Sequence, residues 1–98
     1  MNEENDLSRL HVLVDGTVQG VGFRMFVKDE ARARKLTGWV RNVFDGRVEI
    51  LVEGPRHELE RLLDRMRSGP RSAFVTEVQQ EWQPHTGEFI SFEILRTT

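Results

Sequence analysis

The sequence predicts an α+β sandwich, a mostly antiparallel sheet with two helices on one face. Three observations predict it. Several short segments alternate apolar with polar residues, two longer ones repeat their apolar residues every three to four positions, and Asp45-Gly46 sits between two apolar runs. Alternation marks a half-buried strand, the 3.6-residue period an amphipathic helix, and Asp-Gly between strands a hairpin.

From Arg9 to Asp15, Leu10, Val12 and Val14 share one side, which gives a first strand. Residues 1–7 before it are acidic and polar and are expected to be a disordered tail, leaving 8–98 as the folded domain. A loop with glycines at 16, 20 and 22 leads to a helix over about 23–35. Its stripe is Phe23, Val27 and Ala31, joined by Phe26 and Ala33, with Lys28, Asp29, Arg32 and Lys35 off it. Residues 39–44 and 47–53 form a hairpin, in which Asp45-Gly46 suits a type I′ turn with positive φ at both central residues.

A second helix begins at Pro55, a residue suited to the first helical position. Leu59, Leu62, Leu63 and Met66 form its apolar stripe, and Ser68-Gly69-Pro70 stops it. Strands over about 74–82 and 89–95 follow, the last with Ile90, Phe92 and Ile94 on one side. The order strand–helix–strand–strand–helix–strand is the split βαβ, or ferredoxin-like, arrangement. Both helices then cover one face of the sheet and the other face is comparatively open.

Composition narrows the function. At 98 residues the chain makes one domain with one core. Its 38% hydrophobic and 31% charged residues suit a globular fold, and no apolar run approaches the ~20 residues of a membrane helix. The start lacks the basic and apolar regions of a signal peptide. Without cysteine there is no thiol nucleophile, disulfide or thiolate metal site. A cytosolic location fits. The net charge of −2 argues against general nucleic-acid binding. His11, His57 and His85 are isolated and lack ligand spacing, Asp15 and Asp45 fall at turns, and the serines lack a base partner. Trp39 and Trp82 are assigned to packing or to the open sheet face.

The chemistry concentrates in Val-Asp-Gly-Thr-Val-Gln-Gly-Val-Gly-Phe-Arg at 14–24. Glycines let consecutive N–H groups converge on one point, and the helix that follows adds unpaired N–H groups and its positive dipole end. A cation in a first helical turn is disfavoured by roughly 0.3–1 kcal/mol. Arg24 there makes sense if an anion lies between it and the loop, so the segment reads as a phosphate cradle. It matches neither the phosphate loop of nucleotide hydrolases nor the dinucleotide fingerprint. Gly-Trp-Val-Arg-Asn-Val-Phe-Asp-Gly-Arg-Val-Glu at 38–49 is the second signature. Val40, Asn42 and Phe44 share a parity, so if Val40 and Phe44 face the helices, Asn42 does too, near the rim and the cradle.

Together the two stretches resemble the signatures of the acylphosphatase family. The resemblance continues through Ser68-Gly69-Pro70, Ala73-x-Val75 and Phe92-x-Ile94, and covers about residues 9–97. It implies an enzyme without cofactor or metal that hydrolyses the carboxyl–phosphate bond of acyl phosphates. The motif arginine, Arg24, would bind phosphate and the motif asparagine, Asn42, would position water. The backbone N–H groups of Gln19, Gly20, Val21, Gly22 and Phe23 would hold other phosphate oxygens, with the role of the Gln19 side chain left open between loop geometry and ligand contact. A small acyl phosphate is the implied partner, inorganic phosphate the product and inhibitor, and a monomer is expected. The competing reading is a binding module on the same scaffold that holds an anion without turnover. Such domains also occur within larger carbamoyl-handling maturation proteins. Intact Arg24 and Asn42, and the lack of added domains here, favour the free-standing enzyme.

Overall fold

The computed structural model describes residues 6–98, and the first five residues of the expected tail lie outside them. The elements are β1 (Leu7–Thr17), α1 (Phe23–Ala33), β2 (Thr37–Asn42), β3 (Val48–Pro55), α2 (Arg56–Ser68), β4 (Phe74–Pro84) and β5 (Phe92–Ile94). They form a five-stranded sheet in the order β4-β1-β3-β2-β5. Every neighbouring pair is antiparallel except β2 and β5. The α+β, ferredoxin-like reading holds, with a short parallel strand added at one edge.

The alternation in the strands decides which face is covered. Leu10, Val12 and Val14 of β1 and Val48, Ile50 and Val52 of β3 are buried in one core with Phe23, Val27 and Ala31 of α1. Leu59, Leu62, Leu63 and Met66 of α2 join the same core. Both helices therefore lie on one face of the sheet. The opposite face carries Trp39 with the Arg41 guanidinium 4.4 Å over its ring, and Glu49 bonded to both Arg41 and His11. Trp82 is on the other side, partly buried against the core.

Several boundaries differ from the sequence expectations. β1 begins at Leu7, inside the expected tail, because Leu7 pairs with Pro55 and the Asp6 carbonyl accepts the Arg56 N–H at 2.9 Å. Backbone pairing is indifferent to how polar the side chains are. Helix α1 stops at Ala33 rather than 35: Lys35 takes a φ of 58° and the Leu36 N–H returns to the Ala31 carbonyl at 2.9 Å, which turns Leu36 into the core. Pro55 is the N-cap of α2, one position before the one expected, with extended backbone.

The hairpin turn is not type I′. Only Gly46 has positive φ there, 103°, and Asp45 does not. The Val43 N–H donates to the Arg47 carbonyl at 2.8 Å and the Gly46 N–H to the Val43 carbonyl at 2.9 Å, so the loop holds three residues, 44–46. One left-handed residue at its end suffices for that geometry. The Asp45 carboxylate accepts from the Arg47 guanidinium and from the Arg47 N–H, which holds its carboxyl below the ordinary range. Phe44 consequently sits at a loop tip, 85% exposed, and does not share the core with Val40.

The last segment departs most. β4 continues to Pro84, β5 covers only Phe92–Ile94, and Ile90 is 97% exposed, outside the strand. Residues 86 and 87 are instead held on the open side of the sheet by Glu53, only 1% exposed, which accepts both their backbone N–H groups. The ladder with β2 starts where Phe92 meets Gly38.

Candidate active site

The site grows from the loop between β1 and α1. Gly20 and Gly22 have φ of 75° and 80°, which side-chain-bearing residues rarely adopt. Gly22 is also the N-cap of α1 and offers no side-chain hydrogen bond, and the first turn contains no acidic residue. The N–H groups of that turn thus point out of the helix without a capping side chain. The first intrahelical bond runs from the Phe26 N–H to the Gly22 carbonyl at 3.0 Å.

Arg24 is the second residue of α1 and half-buried. Among the described residues its guanidinium has no hydrogen bond and no ion pair, whereas most arginines here are paired with a carboxylate. It lines an open concavity of about 210 Å³ with Val18, Gly20, Gly22, Phe23, Met25 and Ile94. An unpaired cation beside converging N–H groups and a helix N-terminus can hold a tetrahedral oxyanion.

Asn42 ends β2 on the helix-facing side, as its parity requires. It is 9% exposed, and its buried Oδ1 has no hydrogen-bond partner among the described residues. A buried amide oxygen without a partner costs roughly 1–3 kcal/mol, so it calls for an explanation. The Asn42 backbone is fixed on both sides, by Val48 in β3 and by the Thr98 N–H, which donates to the Asn42 carbonyl at 3.1 Å.

The structure thus brings Gly20, Gly22, Phe23 and Arg24 into one concavity. Asn42 is not in its lining, and Gln19 turns the other way. The Gln19 Nε2 donates to the carbonyls of Val43 at 2.7 Å and Arg47 at 2.8 Å, the two residues that close the hairpin just beyond Asn42. Both bonds join the loop to the hairpin, the loop-geometry alternative for this side chain. Val18, Met25 and Ile94 were not among the site residues expected from the sequence. Ile94 arrives through the pairing of β5 with Val40, for which no local pattern exists.

The three histidines lie apart, each beside a different carboxylate: His11 by Glu49, His57 by Glu58 and His85 by Glu53. Among the described residues no His, Asp or Glu group of three could hold a metal ion, and no helix is long and apolar enough to cross a membrane.

Fold and site together define a ferredoxin-like domain with an open glycine loop and a free arginine at the start of its first helix. The comparisons with known proteins narrow this. The family model for acylphosphatase matches residues 10–94. An acylphosphatase of Pelotomaculum thermopropionicum is 49% identical over 87 residues, 89% of this chain and 95% of that protein. The crystal structure of an acylphosphatase from Bacillus subtilis superposes with a TM-score of 0.86 at 43% identity, covering 91% of this chain and 98% of that one. A full-length HypF structure, in a phosphate- and nucleotide-bound form, matches at 28% identity and a TM-score of 0.84, over 93% of this chain and 12% of that one. The chain belongs to the acylphosphatase family.

Proposed function

We propose that this acylphosphatase, a hydrolase acting on acyl phosphates, holds the phosphoryl group on Arg24 and the loop N–H groups and positions the attacking water with Asn42. The observation that carries the reading is the unpaired Arg24 guanidinium beside the left-handed Gly20 and Gly22 in an open concavity. Its planar donor fork matches two phosphate oxygens, and the N–H groups of Gln19–Phe23 supply donors for the others.

The chemistry asks little more of the protein. A carboxylate is a good leaving group, so phosphoryl transfer needs positioning and charge stabilisation. Water oxygen bonds to phosphorus, the bond between phosphorus and the acyl oxygen breaks, and the acyl group departs as carboxylate. The water proton passes to a phosphate oxygen, because the amide of Asn42 is a negligible base. Its partnerless Oδ1 is suited to accept a hydrogen bond from that water and so aim the lone pair at phosphorus. Every residue in this scheme belongs to one chain, so a monomer acting in the cytosol suffices, and no step calls for a metal.

Turnover of a simple aryl acyl phosphate, followed with and without a chelator, tests the reading. Hydrolysis unaffected by chelation and inhibited competitively by inorganic phosphate is expected. A chain that binds phosphate but does not turn over would be the binding module instead. Activity lost to the chelator and restored by magnesium would overturn the metal-free scheme.

A further inference from the structure

We infer that Gln19 is a positioning residue, whose side-chain amide sets the distance between the phosphate-holding loop and Asn42. The inference rests on the roles proposed above for the loop and for Asn42. Gln19 Nε2 spends both its hydrogens across 24 and 28 residues of sequence, on the Val43 and Arg47 carbonyls at 2.7 and 2.8 Å. Both partners are acceptors only, which fixes the amide orientation with the NH₂ toward the hairpin. The Arg47 carbonyl also receives the Val43 N–H at 2.8 Å, so both its lone pairs are used.

Val18 and Val21 pack the loop onto the core, but its hydrogen bonding to the hairpin runs through Gln19. Among the described residues these are its only side-chain hydrogen bonds, and no backbone hydrogen bond joins residues 18–22 to residues 40–50. A Cβ added at Gly20 or Gly22 would meet nothing within 4 Å, so neither glycine is packed against the hairpin. Val43 follows Asn42 directly, and Gln19 precedes Gly20. One side chain therefore spans the gap between the residues proposed to hold phosphate and the residue proposed to hold water. A misplacement of about 1 Å between such groups can cost on the order of 10²-fold in rate.

The test is a double-mutant cycle. Gln19→Met keeps the length and loses both donors. It should lower kcat by about 10–100-fold, while the inhibition constant of inorganic phosphate, which needs Arg24 and the loop N–H groups but not Asn42, stays near that of the wild type. Added to Asn42→Ala, it should lower kcat little further, because there is then no water-positioning group to misplace. A wild-type kcat in Gln19→Met, or an undiminished loss in the Asn42→Ala background, would overturn the inference. Where Gln19→Met does not fold, Gln19→Glu decides. Its carboxylate faces two carbonyl oxygens, but once protonated it donates to one, so its kcat relative to wild type should rise as pH falls. A ratio flat in pH would overturn the inference. Asn42→Ala alone judges the underlying reading: full turnover in that variant removes the water-positioning role, whereas an impaired Asn42→Ala beside a normal Gln19→Met removes only the role of Gln19.

Discussion

Glu53 accepts both the backbone N–H and the hydroxyl of Thr86, at 2.9 and 2.8 Å on one carboxylate oxygen. The other oxygen takes the Gly87 N–H at 2.8 Å, and the Arg9 guanidinium stands 3.5 Å from the first. This buried carboxylate pins the connection between β4 and β5 onto the open side of the sheet. It sits at the far end from the candidate site: Glu53 pairs with Thr37 at the start of β2, and Asn42 with Val48, five residues back along β3. At ~3.3 Å per residue that is about 16 Å.

Burial by itself would raise the Glu53 carboxyl, but the Thr86 and Gly87 donors outweigh it and hold its pKa below the ordinary 4.5. A depressed carboxylate contributes stability above the unfolded-state pKa and loses it as pH falls through the folded value. Glu53→Gln should therefore destabilise at neutral pH by about 1–3 kcal/mol, since it puts an amide NH₂ against donors. The gap in Tm between wild type and variant should narrow on acidification below pH 4.5. At 25 °C kcat/KM should be unchanged. A gap that widens in acid would show that the carboxylate is not favoured by the fold.

Arg24 gives a prediction with opposite signs for activity and stability. Arg24→Ala removes a bidentate charged donor and should lower kcat/KM by ~10²–10⁴-fold, at about 1.5–3 kcal/mol for each charged hydrogen bond. Arg24→Lys keeps the charge without the fork and should fall short of wild type by at least about tenfold. The same alanine removes a cation from the first turn of α1, where the dipole opposes it, so stability should stay level or rise by ~0.3–1 kcal/mol. A lysine variant with normal kcat/KM would take the guanidinium fork out of the mechanism.

For Asn42 the separation is between kcat and binding. Asn42→Ala should reduce kcat by ~10²–10⁴-fold, or roughly 3–5.5 kcal/mol, and leave phosphate affinity nearly intact. Because Oδ1 is buried without a partner among the described residues, its removal should cost little stability, at most about 1 kcal/mol. Thermal unfolding and phosphate inhibition on the same variant check this. A variant that folds, binds phosphate and turns over normally would sink the proposed role of Asn42.

The sequence by itself determined the elements and the family. Periodicity is a property of neighbours three, four or two residues apart, so the stripes Phe23-Val27-Ala31 and Leu59-Leu62-Leu63-Met66 and the strand Leu10-Val12-Val14 are legible without any fold, and all are buried as expected. The glycines at 20 and 22 and the arginine after them are likewise local, and they do line one concavity. What only the tertiary structure decided lies across long separations. The Gln19 amide bonds to carbonyls 24 and 28 residues away. Phe44 and Ile90 share their strands' parities yet are exposed, because a three-residue turn and the Glu53 anchor end pairing before either is reached. Alternation says which side a residue would face within a strand. Where the strand stops is set by hydrogen bonds to partners that only the folded chain brings within reach.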